Sequence, residues 1–107
     1  MLEISARKVA QVALMARELG RAEREMRAFI ERMGEDEQAS LVAVMWVGRE
    51  SFFAEDLAEA ILTAKQEATT PCADYLIGTP HLADNLEAGL ESLGISVHDV
   101  EEDVLGR

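Results

Sequence analysis

Cys72 stands two residues after Thr70, in the first turn of a helix that Thr70-Pro71 would open. There the aligned amide dipoles lower a thiol's pKa and make it a nucleophile, with His81 the nearest possible base in sequence. A lone cysteine is more commonly a small buried apolar group, so the plainer expectation is a packing role. His81, Asp84, Glu87 and Glu91 follow at spacings of three, three and four, which sets them along one side of a helix. A His-x-x-Asp pair can ligate a metal, but a site needs three or more ligands from several elements. His98 with Asp99, Glu101 or Glu102 is the available second arm. The simpler reading is a solvated polar face, and neither a metal nor a cofactor is expected.

A second group is Trp46, Arg49, Tyr75 and His81. If these converge, they make a pocket in which Arg49 meets a carboxylate and the aromatic rings supply flat apolar surface. Arg49 has few other cations near it, so pairing with a structural Asp or Glu explains it equally well. No phosphate-cradling glycine loop, no His-Glu-x-x-His and no Gly-x-Ser-x-Gly occurs. Thr70-Pro71 and Thr79-Pro80 lie nine residues apart, and each is followed by Ala-Asp-x-Leu. Two exposed helix N-termini would suit an anion. Threonine caps and proline at the first helical position account for the same residues without a ligand.

The elements that must position these groups are helical by period. Ser5 caps a first helix whose seam runs Val12, Met15, Leu19, Ala22, Met26, Phe29, Met33, gaps of three and four that mark a helix–helix interface. The register passes through Gly20. One helix over 5–33 would be about 43 Å long, against roughly 34 Å for the diameter of a compact chain of this size. Either the chain bends near Gly20 or the helix overhangs and needs a partner. Glu35, Asp36 and Glu37 open the next element, where negative charge complements the amide dipoles. It continues through Leu41–Val47, seven apolar residues in a row, and so has no wet face; its length and acidic first turn favour an enclosed helix over a strand. Ala54 to Ala68 follows, with Leu57, Ala58, Ile61, Leu62 and Ala64 as its stripe and Phe52 and Phe53 plugging the preceding loop. Then come Pro71 to Ile77, Pro80 to Leu93 with Leu82, Leu86, Leu90 and Leu93 inward, and an acidic tail helix from Ser96 to Leu105. Gly20, Gly34, Gly48, Gly78 and Gly94 each follow a helix-like stretch as C-terminal caps, and Gly89 marks a close helix crossing.

The 107 residues make one domain, 1–107, with 49% apolar and 29% charged residues. One cysteine excludes an intrachain disulfide framework. No membrane span and no export signal are read, which places the chain in a reducing cytoplasm. The net charge is −11, split as +2 over 1–32 and −13 over 33–107. Nucleic acid is therefore not an expected partner, because its binders present a dense basic face. A basic protein is a conceivable partner, and an acidic antagonist of a nucleic-acid-binding protein is one form of that reading.

Three stretches carry a resemblance: Leu2-Glu3-Ile4-Ser5 with Lys8-Val9; Glu35 to Arg49, ending Met-Trp-Val-Gly-Arg; and Thr69 to Leu90 with its two Thr-Pro steps. Together they resemble DUF3775, a family of small bacterial proteins catalogued only as a domain of unknown function. The resemblance implies a mainly helical cytosolic domain and carries over no reaction and no active-site residue. The fold expected is all-α: a compact single-domain helical bundle of five to seven helices. The function expected is a non-enzymatic interaction module that forms a homodimer through Val12, Met15, Leu19, Met26, Phe29 and Met33. The alternative is an enzyme or small-ligand binder with its pocket at Trp46, Arg49, Tyr75 and His81.

Overall fold

The apolar run Leu41–Val47 is helical and lies at the centre of the molecule. A computed structural model describes residues 2–95. Its six α-helices are α1 (Ala6–Arg17), α2 (Leu19–Glu31), α3 (Glu35–Gly48), α4 (Leu57–Gln66), α5 (Cys72–Ile77) and α6 (Leu82–Ser92), with a 3-10 turn, Ala54–Asp56, leading into α4. The described residues contain no strand, so the chain is an all-α bundle within the expected range of helices. The tail helix expected from Ser96, and His98 with it, lie outside the described residues.

Three acids fill the first turn of α3, and every residue from Ala39 to Val47 is buried. It packs on α6 and α4, and two glycines set how closely it meets α6. A Cβ on Gly48 would stand 1.7 Å from the Asn85 carbonyl oxygen, and one on Gly89 would stand 2.1 Å from that of Val44. Gly89 is thus the crossing residue its position suggested. Gly48, expected as a cap, is a second one. The left-handed position that ends α3 falls instead on Glu50, at φ 69°. Its N–H bonds the Val47 carbonyl at 3.0 Å and that of Ser51 bonds Trp46 at 2.8 Å, the paired pattern of a Schellman terminus. Gly94, at φ 85°, ends α6 in the same way, as expected.

Ser5 caps α1 by accepting the Lys8 N–H at 3.1 Å. The chain then breaks at Glu18, between α1 and α2, rather than at Gly20, which lies inside α2. A single long helix would exceed the molecule's longest extent of 34 Å; with the bend at Glu18, α1 packs along α6 and α2 against α5. This corrects the expected interface. Val12, Met26 and Met33 are buried by the chain itself, and only Met15, Leu19 and Phe29 remain half-buried against the same core. A second copy cannot reach Val12 or Met26, both fully enclosed, unless the fold opens.

Two further expectations shift. The buried stripe of α4 is Leu57, Ala60, Ile61 and Ala64, while Ala58 and Leu62 face outward. Phe52 packs on the core, but Phe53 is 74% exposed. The threonines do not cap either. Pro71 is the extended residue before α5, and His81, left-handed at φ 57°, precedes α6. The Thr79 hydroxyl donates to the Tyr75 carbonyl at 2.7 Å, so it closes α5 rather than opening α6.

Charge is matched between helices. Lys8 pairs with Glu37 at 2.6 Å, Arg17 with Asp84 and Glu87, Arg27 with Asp74, and Lys65 with Asp36 at 2.7 Å. Cations of the basic first segment therefore face acids of the later helices. Exposed pairs of this kind contribute about 0–1 kcal/mol each, so they steer the docking of α1 and α2 more than they stabilise it.

Candidate functional site in the cleft between α3, α4 and α5

Gln38, Val42 and Trp46 recur every four residues and share one side of α3. They form one wall of a cleft of about 620 Å³. Ala64 and Lys65 of α4, the loop 67–71, and Cys72 and Tyr75 of α5 complete it. At one end the Trp46 indole N–H donates to the Tyr75 hydroxyl oxygen at 2.9 Å. Phe52 stacks on the indole, ring centroids 5.6 Å apart and planes 21° apart, and so fixes the ring. The Tyr75 oxygen is spent as an acceptor, and its own proton is left to donate to another group.

Gln38, Lys65 and Cys72, three further polar residues of the cleft, are held by the fold. The Gln38 amide donates to the Ile30 carbonyl at 2.9 Å, which satisfies the end of α2. The Lys65 ammonium bonds Asp36 at 2.7 Å and lies 3.6 Å from Glu3. Asp36, first by hydrogen bond and then by charge, pushes the Lys65 pKa up, so this amine is a fixed positive point and no base. Burial pushes the Cys72 thiol up to about 11. Its polar neighbour is the Gln38 carbonyl, at 3.9 Å.

Cys72 is therefore not the activated thiol its position suggested. Its helix has six residues, and the desolvation of the thiolate outweighs what so short a dipole supplies. His81 cannot serve it. That imidazole is exposed and lines a separate cleft of about 570 Å³ with Arg17, Leu19 and Asp84. Arg49 lies past the end of α3, exposed, with its Nε–H donating to the Ser51 hydroxyl at 3.0 Å. Of the four residues expected to converge, Trp46 and Tyr75 meet, while Arg49 and His81 lie elsewhere. The polar series His81, Asp84, Glu87, Glu91 also fails as a ligand arm, because His81 precedes the helix and Asp84 and Glu87 take Arg17. Among the described residues no group of three His, Cys, Asp or Glu side chains could hold a metal ion.

Sequence reasoning missed Gln38, Val42, Lys65 and Cys72 as cleft residues. The four-residue spacing of Gln38, Val42 and Trp46 was a usable signal, as was the three-residue step from Cys72 to Tyr75. Among the described residues no helix is long and apolar enough to cross a membrane. No curated protein and no solved structure matches the chain. The model of the family described as "Protein of unknown function (DUF3775)" matches residues 23–95, from within α2 to just past α6. With about two thirds of its length so matched, the chain belongs to that family.

Proposed function

We propose that this protein is a non-enzymatic binding module whose recognition site is the cleft between α3, α4 and α5. The observation that carries the reading is the Trp46–Tyr75 hydrogen bond at the end of a cleft of about 620 Å³, a size typical of small-molecule sites. The bond presents a phenolic O–H beside the apolar surface of Val42 and Ala39. The matching ligand is a small organic molecule with a flat or aliphatic body and one hydrogen-bond acceptor. A binding role suits the side chains present: the thiol stays protonated and the amine is held protonated beside Asp36, so neither is poised for acid–base or nucleophilic work. The reading extends to a bacterial cytoplasmic setting, supported by the lone thiol and by the family resemblance.

Trp46 is the only tryptophan, so indole fluorescence and its single Nε1–H resonance report directly on the site. A library of heteroaromatic amides at millimolar concentration is expected to yield members that shift both signals. Tyr75→Phe is expected to weaken those members about fivefold, the effect of one lost hydrogen bond of ~1 kcal/mol. Binders that leave the Trp46 signals unmoved, or that bind Tyr75→Phe equally well, would overturn the proposal.

Self-association is a second reading, supported by the partial exposure of Met15, Leu19 and Phe29. Light scattering at high micromolar concentration decides it: a dimer supports it, and a monomer removes it.

A further inference from the structure

Only two large apolar side chains among the described residues are strongly exposed, Phe53 at 74% and Leu62 at 54%. Both belong to the segment of the 3-10 turn and α4. Phe53 immediately precedes the turn, and Leu62 lies on the outward face of α4 with Ala58 and Glu59 one turn before it. Nine positions separate them, a rise of about 15 Å for a 3-10 turn continued by an α-helix. Four acids accompany them: Glu50, Glu55 and Glu59, all exposed, and the half-buried Asp56. Several acids elsewhere in this molecule meet cations across helix contacts, as in Lys8–Glu37 and Arg27–Asp74. Here they do not: none of the four forms an ion pair with a described residue.

We propose that the outward face of the 3-10 turn and α4 docks a basic amphipathic helix of a partner protein. Phe53 and Leu62 meet the partner's apolar stripe, and Glu50, Glu55, Asp56 and Glu59 meet its flanking lysines or arginines. The sign of the charge selects this occupant. A second copy would set the same four carboxylates against themselves across a two-fold axis. A nucleic acid would bring phosphates to the same acids. A helix of about three turns covers the span between the two anchors, and residues eleven apart on it, roughly 16 Å, return to one face. The site is independent of the cleft, which opens between α3, α4 and α5 and includes neither Phe53 nor Leu62.

The test uses the full chain and two fluorescein-labelled fifteen-residue peptides with the same leucine spacing, one with lysine and one with glutamate at every polar position. Fluorescence anisotropy is expected to show binding of the lysine peptide only, with affinity falling as salt rises. Phe53→Ser and Leu62→Ser are each expected to weaken it at least fivefold. Glu55→Gln with Glu59→Gln is expected to weaken it and flatten its salt dependence. Glu23→Gln with Glu31→Gln, which removes the same charge from α2, should leave it unchanged. All these positions are exposed, and circular dichroism melts confirm that each variant folds. The proposal is overturned if the lysine peptide does not bind, if the α2 pair weakens it as much as the α4 pair, or if Leu62→Ser leaves it unchanged. It is equally overturned if the unmodified chain dimerises and Leu62→Ser abolishes the dimer.

Discussion

Glu50 occupies the left-handed position at the end of α3, where a side chain crowds its own backbone and glycine is at ease. Glu50→Gly is therefore expected to stabilise the fold by about 0.5–1 kcal/mol, the relief of the Cβ clash less the entropy glycine loses on folding. A urea melt checks it, and an unchanged or lower midpoint would contradict it. The thiol of Cys72 gives a pH signature. The folded pKa is about 11 against an ordinary value of 9.0, so the unfolded chain loses the proton first. The buried thiol's contribution is complete below pH 9 and disappears as the pH climbs towards 11, a loss of roughly 2–3 kcal/mol. Stability measured from pH 8 to 11 should fall in the parent and fall less in Cys72→Ala. The place of Cys72 at the start of a helix was legible from Thr70-Pro71. Its burial was not, because that depends on α3 lying across it.

At the scale of elements, one substitution has opposite signs at different glycines. Gly20 lies in α2, and a Cβ added there would meet nothing within 4 Å, so Gly20→Ala should stabilise by about 0.5–1 kcal/mol. Gly48→Ala and Gly89→Ala would drive a methyl into backbone atoms of the facing helix and should each destabilise by at least 1–3 kcal/mol. Thermal melts of the three variants read the contrast directly. The enclosed nature of α3 could be read from Leu41–Val47, and the crossing at Gly89 from a glycine inside a leucine stripe. The face of α4 could not be chosen, because Leu57, Ala58, Ile61, Leu62 and Ala64 are too many for one stripe and only the position of α3 selects among them. The Thr-Pro pairs misled for a related reason: Thr79 donates its hydroxyl to the Tyr75 carbonyl at the end of α5 instead of accepting from the amides that open α6. The Trp46–Tyr75 pair joins residues 29 positions apart, and no local pattern specifies such a meeting.

At the scale of the whole molecule, the matched family region starts at residue 23, yet α1 lies upstream of it and packs along α6. Val9 and Val12 are fully buried in the core, and each contributes about 1.5–3 kcal/mol of apolar burial. Net stabilities are about 5–15 kcal/mol, so a chain cut to 23–95 should lose most of its cooperative melt and expose dye-binding apolar surface. A sharp, reversible melt of that fragment would show that α1 is dispensable. The uneven charge of the chain also finds its explanation here. The split between a basic beginning and an acidic remainder is visible in composition. Only the docking of α1 on α6 and of α2 on α5 shows cations such as Arg17 and Arg27 turned to acids of their own chain.

Arg17 at the end of α1 reaches Asp84 and Glu87 near the start of α6, so these two helices run in opposite directions, and residues 6 and 92 lie at the same end of the pair. Tension applied across those two points would act at right angles to the contact between them. The molecule would then yield as a zip does, one turn at a time and at low force, instead of resisting as a lap joint pulled along its length.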